Sequence, residues 1–460
     1  MVGSTVDGEA VVLAALLHDI GKFWQRTGRG VPAGYQGFGP ADVGGHGAHA
    51  RWSASCYEQV VPPAWRQGGH VVLYHHRPTS YAAKVLAVAD HLAASEREDQ
   101  DAEGDPRSAR VLSVFGRIRL SDLPPGTDSA FPLEPLRLAH EVIYPRADQP
   151  PATTGEHAQL WDAFFAEASG LGRLESFPTY LTALLALLEK YTWCVPSAAY
   201  RSRPDVSLYD HARMTAALAG CLWHDGTEES VLDALRGDLG KGSSAADVHR
   251  FTLVGGDISG VQRFLYTIAS RGAARTLRGR SLFLQLLGEA AADFVLRALD
   301  LPVTNLLYIG GAKFYILAPA GALDSLEELK RRLADVFLDI ADGEIYLAVA
   351  GVPLSAADVA SHFDKAWAAV SESLHRAKSH RLSEVARTHY ARIFEPGGTG
   401  GPVSAGDACD VCGRDLETDE TATVRAGVLR CMHCAGAARP NLVPLKICVV
   451  CHAEVSDGVR

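Results

Sequence analysis

Apolar residues recur every three to four positions through Val11, Ala15 and Leu16, and again through Ala82, Val85, Leu86 and Ala89. That is the spacing of helices with one buried face, so residues 9–95 read as helical. The stretch Glu96–Arg107 is crowded with acids and holds Gly104 and Pro106, which marks a solvated linker and a boundary near residue 100. The helical pattern returns over 133–225, broken by two prolines within Asp148–Gly155. It gives way over Gly226–Arg250 to small polar residues, as expected of an exposed connector. At Phe251 the character changes. Phe251, Leu253 and Val254 form a β-prone run, followed by Gly255–Gly256 and an amphipathic helix reaching Leu299. Strands are expected at Asn305–Ile309 and Lys313–Leu317, joined by a Gly310–Gly311 turn. A helix over 323–342, a strand at Ile345–Ala350 and a helix over 362–379 complete a β-α-β-β-α-β order, which is ferredoxin-like. Pro396–Gly406, with five glycines and two prolines, separates this segment from a cysteine-rich tail. The fold class is therefore multidomain α+β.

Length and composition narrow the function classes. At 460 residues the chain has room for several cores of about 150 residues each. Hydrophobic residues make up 47% and charged residues 21%, at a mean hydropathy of +0.01, which excludes bulk disorder. The longest apolar runs, Val11–Leu17 and Ala183–Leu188, fall far short of the ~20 residues a membrane span needs. Asp7 and Glu9 precede the first of them in place of a basic leader, so a cytoplasmic protein without membrane partners is expected. With 44 basic and 54 acidic side chains the formal charge is −10, so any nucleic-acid contact must use a local patch.

Three groups of residues carry chemistry. His18 and Asp19 end an apolar helix, and Gly21 is placed to stop it in a left-handed conformation. His49 and Ser53, four apart, share a helical face; His75 and His76 precede Pro78 at the mouth of a helix that carries Asp90 near its far end. Imidazoles mixed with carboxylates suit manganese, nickel or cobalt better than calcium. A carboxylate beside an imidazole can bridge two ions that activate water against a phosphodiester, with His18 and Asp19 at the centre of the set. The competing reading is a set of capping and surface histidines. Asp210–His211, further on, reads as a helix cap.

The runs LLHDIGKF (Leu16–Phe23), HARWS (His49–Ser53) and YHHRP with VADHLAASERE (within Tyr74–Glu98) resemble the HD nuclease domain of the large signature subunit of type III CRISPR effector complexes, subtype III-A. The resemblance continues through YTWCVPSAAYRSRPDVSLYDHARMTAALA (Tyr191–Ala219) and is strongest at GGDISGVQRFLYTIASRGAARTLRGRS (Gly255–Ser281). It implies a divalent-metal nuclease for single-stranded DNA, with His18, Asp19, His49, His75, His76 and Asp90 at its motif positions. It also implies work beside other subunits, a guide RNA and a target RNA. The implied domains are an HD domain over 1–100, a helical region over 101–250, a first Palm over 251–395 and a zinc-binding linker over 396–460.

Palms of this kind hold magnesium and a nucleotide with paired carboxylates. Asp257 fills the first-strand position, but Gly310, Gly311, Ala312 and Lys313 bring no acid to the hairpin, so two-metal chemistry is not expected there. A seat for ATP remains: the glycines admit a ligand close to backbone, and Lys313 offers a point charge to phosphate. Arg263, Arg271, Arg275, Arg278, Arg280 and Arg297 face three acids between Val261 and Asp300, a cationic stripe in which Arg275 and Arg278 are the foremost candidates. The GGDD motif, which in the family makes cyclic oligoadenylates on a second Palm, does not occur before the sequence ends at Arg460, so that synthesis is not expected of this chain alone. Cys409–Cys412 and Cys431–Cys434, 18 residues apart, have zinc-ribbon spacing, and Cys448–Cys451 adds a third pair. Cys409 and Cys412 belong to either choice of four thiolates for a structural zinc. Two rival functions stay open: a catalytically impaired scaffold or nucleotide-binding subunit, and an HD phosphohydrolase acting on nucleotides.

Overall fold

The computed structural model describes residues 6–45, 47–95, 105–118, 128–200, 202–238, 244–266, 273–341, 343–394, 423–425 and 428–430. Its contacts divide the chain into two compact units. One comprises Met1–Phe251 with Pro302–Asn305 and Leu354–Phe363; the other comprises Thr252–Leu301, Leu306–Pro353 and Asp364–Arg460.

The first unit is helical. Its first helix, α1 (Gly8–Leu17), opens where the Asp7 carboxylate accepts the Ala10 amide at 2.8 Å. Every residue from Ala10 to Leu17 is buried, so α1 is apolar all round and lies in the interior of the unit. After it come α2 (Ile20–Arg26), α3 (Pro40–Val43), α4 (Ala50–Val60), α5 (Gly68–Tyr74) and α6 (Tyr81–Ala94). Beyond the acidic stretch follow α7 (His140–Ile143), α8 (Thr154–Gly170), α9 (Phe177–Thr192), α10 (Leu208–His224) and α11 (Glu229–Asp238). Helix α1 packs chiefly on α10, which also lies along α6. The first unit thus holds residues on both sides of position 100. Gly226–Arg250 is not only an exposed connector: α11 buries Leu232 and Leu235 completely, and Lys84 of α6 pairs with its Glu229 and Asp233 at 2.9 and 2.7 Å.

One core residue of this unit sets an acid limit. His157 of α8 is fully buried, packs edge-on to Phe23, and has no hydrogen-bond partner for either ring nitrogen among the described residues. Burial first, and then the nearby Arg26 cation, lower its pKa to about 4. The unfolded chain takes up this proton below about 6.5, the folded chain only near 4, so stability falls as the pH drops between the two. Linkage puts the loss at roughly 2–3 kcal/mol at pH 4.5. His157→Leu is expected to remove most of it, read as a smaller drop in urea midpoint between pH 7 and pH 4.5 than in the wild type.

The second unit is built on a four-stranded sheet. Its strands are β1 (His249–Ser259), β2 (Leu306–Gly310), β3 (Lys313–Pro319) and β4 (Tyr346–Ser355), in the spatial order β2-β3-β1-β4. The helices that follow β1 are α12 (Val261–Tyr266) and α13 (Ala273–Ala298); α14 (Ala322–Ala341) precedes β4, α15 (Ala356–Ser361) follows it but belongs to the first unit, and α16 (Phe363–Ser379) returns to the second. Strand β1 runs through the glycine pair expected to end it. A Cβ on Gly256 would stand 2.2 Å from the Phe314 ring, and one on Gly255 would stand 2.9 Å from Leu374 of α16. Those glycines let side chains cross both faces of the strand. The β2–β3 turn is Gly311–Ala312, one residue later than expected, since Gly310 pairs with Lys313. Both turn residues have positive φ, 57° and 65°, the two-residue hairpin whose twist matches its strands. Phe314, Ile316, Leu333 and Phe337 join one core, while Tyr315 packs at a tilt against Trp367 of α16 with ring centroids 4.0 Å apart. In the tail, Thr423–Arg425 and Val428–Arg430 pair antiparallel. Cys409, Cys412, Cys431, Cys434, Cys448 and Cys451 lie outside the described residues. Among those residues no helix is long and apolar enough to cross a membrane.

Candidate metal centre

Four helix ends and two helix interiors converge on one point of the first unit. His18 closes α1, Asp19 opens α2, His49 opens α4, and His75 closes α5 with His76 next to it. Asp90 stands inside α6, which Ser80 caps, and His211 stands in the first turn of α10. Gly21 is not a left-handed stop; it lies within α2. A Cβ there would come 2.2 Å from the His49 carbonyl oxygen and 2.7 Å from the Ser53 amide nitrogen. Glycine is what lets α2 meet the start of α4, and the Gly21 amide donates to Ser53 Oγ at 2.8 Å. Further off, Arg236 of α11 donates to the His76 carbonyl at 3.1 Å.

The donors fall into two groups, each with its ligand atoms within 4.8 Å of one another: His49, His75 and His76; and His18, Asp19, Asp90 and His211. Asp19 joins them. Its Oδ1 stands 2.9 Å from His49 Nε2, while its Oδ2 stands 3.5 Å from His18 Nε2 and 3.4 Å from His211 Nε2. Asp90 Oδ1 lies 3.4 Å from His18 Nε2 and 3.1 Å from His211 Nε2. Lys22 also pairs with Asp19 Oδ2. His18 and His75 share a further feature. Each commits Nδ1 to a backbone carbonyl three residues back, Ala15 at 2.7 Å and Val72 at 2.6 Å. A carbonyl only accepts, so both rings carry the proton on Nδ1. Their buried Nε2 atoms then have no hydrogen-bond partner among the described residues and face the cluster. Oriented imidazoles with open Nε2 lone pairs, beside a carboxylate split between two groups, fit a divalent ion or a pair of them.

The charges agree with that chemistry. Burial alone would favour neutral carboxyls, yet Lys22, His18 and His49 hold Asp19 well below the ordinary range, and His18 and His211 do the same for Asp90. Burial lowers His49 to about 4, and His75 and His76 to about 3, so these three are neutral at pH 7, the form that ligates. For His18, burial is outweighed by Asp19 and Asp90, and its pKa is raised. A site whose two anions raise the proton affinity of an imidazole favours added positive charge.

His211 is the donor that sequence reasoning set aside. The cap of α10 is Ser207, not Asp210: the Ser207 hydroxyl accepts the Asp210 amide at 3.0 Å and donates to the Asp210 carboxylate at 2.7 Å. His211, one residue on, turns inward and is fully buried. The available signal was its phase: Thr215, Leu218 and Leu222 share its face, and all are buried.

Beside the centre lies a cleft of about 460 Å³ lined by Lys22, Gln25, Arg26, His49, His76, Arg107 and the loop Ser197, Ala198, Ala199 and Tyr200. No acid lines it. Arg26, nearly buried, donates to the Pro196 carbonyl at 2.8 Å and so fastens α2 to that loop.

In the second unit, Asp257 of β1 is buried and clasped by two lysines, Lys313 at 3.2 Å and Lys378 at 2.6 Å. The cationic stripe is not continuous. Arg280 is buried against the Phe264 ring, and Arg297 is paired with Asp293 at 2.7 Å. Arg278 is exposed, while Arg271 and the Arg275 side chain lie outside the described positions.

Residues 2–95 match the HD domain family, and residues 250–396 match the family described as Csm1 subunit domain B. Over 461 residues the chain is 26% identical to the CRISPR system single-strand-specific deoxyribonuclease Cas10/Csm1 (subtype III-A) of Methanocaldococcus jannaschii, across 91% of this chain and 55% of that protein. Along most of its length the chain is similar to Cas10/Csm1. The Cas10/Csm1 protein of Thermococcus onnurineus is 31% identical over 341 residues, across 72% of this chain and 39% of its own. The fold is shared with Csm1 in a crystal structure of the Csm1–Csm4 subcomplex of a type III-A CRISPR–Csm interference complex, at a TM-score of 0.62 and 22% identity, across 92% of this chain and 55% of that one. The chain spans about half the length of the curated Cas10/Csm1 relatives it matches. His211 falls outside both matched segments.

Proposed function

We propose that this chain is a metal-dependent nuclease for single-stranded DNA in a type III-A CRISPR complex, with its active centre at the seven clustered donors. The observation that carries this reading is Asp19, whose two oxygens serve two groups of buried imidazoles. His18, Asp90 and His211 would hold one divalent ion, His49, His75 and His76 the other, with Asp19 shared. When bound, such ions supply a deprotonated water near neutral pH and neutralise the charge that develops on a phosphodiester. The chain's own part is orientation: the Ala15 and Val72 carbonyls fix two rings, and Lys22 keeps Asp19 ionised. The relatives' printed names supply the substrate class, and the HD match supplies metal dependence.

The same reading extends to the second unit. We infer a first-Palm role there, with ATP seated at the Gly310–Gly311 corner against Lys313 and Lys378. Asp257, already neutralised by both lysines, is poorly suited to hold magnesium. The tail cysteines would hold a structural zinc, and a Csm4-like subunit, guide RNA and target RNA would complete the assembly.

The test is digestion of end-labelled single-stranded DNA with manganese or nickel, with deoxynucleoside triphosphates as a rival substrate. The wild type is expected to cut the strand, and the His18→Ala/Asp19→Ala double variant to lose at least about a hundredfold in rate. Equal cutting by both, or hydrolysis of nucleotides in preference to strands, would overturn the proposal.

A further inference from the structure

We infer that Tyr200 is a base-stacking platform, which with Arg107 and Lys22 guides a single DNA strand to the metal centre. This rests on the nuclease reading and names how its substrate is gripped. The cleft joins three kinds of surface. His49 and His76 of the first donor group form part of its wall, Lys22, Arg26 and Arg107 supply cations, and Tyr200 supplies an aromatic ring. Clustered cations attract a polyanion, and an aromatic face beside them selects unstacked bases; together they are how single strands are held without sequence preference. Bases inside a duplex are already stacked and offer no face to such a ring. A volume near 460 Å³ admits a nucleotide or two at a time.

Tyr200 is held out deliberately. Its residue is 65% exposed, on a loop whose two ends are tied together. Pro196 and Ser207 form a β-bridge, and the Ser197 amide donates to the Val206 carbonyl at 3.0 Å. Arg203 pairs with Asp205 at 3.2 Å and also with Asp128, and the Arg26 guanidinium holds the Pro196 carbonyl from beneath. A tyrosine more than half exposed, carried on a braced loop in the same cleft as three cations, is pre-organised for a ligand.

The experiment measures strand binding by fluorescence anisotropy on the full chain in EDTA, so that no cleavage intervenes. A labelled mixed-sequence oligodeoxynucleotide is compared with an abasic strand of equal length. The wild type is expected to prefer the strand with bases by about tenfold. Tyr200→Ala is expected to lose that preference while binding the abasic strand as the wild type does, which also reports a folded protein; Tyr200→Phe is expected to keep it. A wild type without the preference, or a Tyr200→Ala protein that retains it, overturns the inference. Manganese-dependent digestion is run beside it. A base preference lost in Tyr200→Ala, with no cutting by the wild type, would uphold the strand platform and remove the nuclease reading; cutting without a base preference would do the reverse.

Discussion

In His211→Ala, divalent-ion content and manganese-dependent strand cleavage are expected to fall together, each by at least about a hundredfold. The ring is fully buried, 5.3 Å from the His18 ring, with Nε2 within 3.4 Å of both carboxylates. Removing it leaves Asp19 and Asp90 sharing one imidazole in place of two, and a coordination shell short of a donor. Partners that only orient a ligand are worth about ten- to a hundredfold in affinity, so a direct donor should cost at least the upper figure. Elemental analysis after manganese loading checks the first half, and the strand digest the second. Undiminished ion content would show that the inward turn of α10 serves packing alone. The residue is a demanding choice because it stands far from the HD motif in sequence and outside the matched HD segment.

Gly21→Ala is expected to destabilise the first unit by about 3 kcal/mol, at the upper end for overpacking, and to cost the centre His49 as a ligand. The added methyl would meet the His49 carbonyl oxygen at 2.2 Å and the Ser53 amide and hydroxyl at 2.7 Å. The carbonyl and the amide are backbone and cannot rotate aside, so α2 and α4 must part. Gly69→Ala is the control. Its methyl finds nothing nearer than Glu58 Cγ at 3.5 Å, and within a helix it should be neutral or stabilising by up to about 1 kcal/mol. Thermal midpoints with and without manganese separate the two effects: the Gly21 variant should lose both baseline stability and the increment given by the ion. Equal midpoints for the two variants would refute the close-packing account.

How much of this was legible in sequence depends on whether a signal is local. His18–Asp19, His49, His75–His76 and Asp90 stand within one helical segment, where residue type and spacing alone suggest a ligand set, and the structure brings all six together. The strand and helix order from Phe251 onward could be read from changes of period, since each element buries one face. Gly21 was read as a helix stop because glycine signals a turn and a close helix approach with the same letter. His211 was passed over because its neighbour Asp210 suits a cap so well, and because nothing local says that α10 returns to lie against α1. Counting arginines could not separate Arg280, buried on Phe264, from exposed Arg278. The lysine clasp on Asp257 was half visible: Lys313 is at the hairpin, but Lys378 arrives from α16, across the sheet.

The bond from the Arg26 guanidinium to the Pro196 carbonyl couples two parts of the molecule that do different work. One end belongs to the helix that begins at Asp19; the other is the root of the hairpin that carries Tyr200. Any displacement of that loop is passed, through one hydrogen bond, to the helix that begins at the shared carboxylate, so the two cannot move independently.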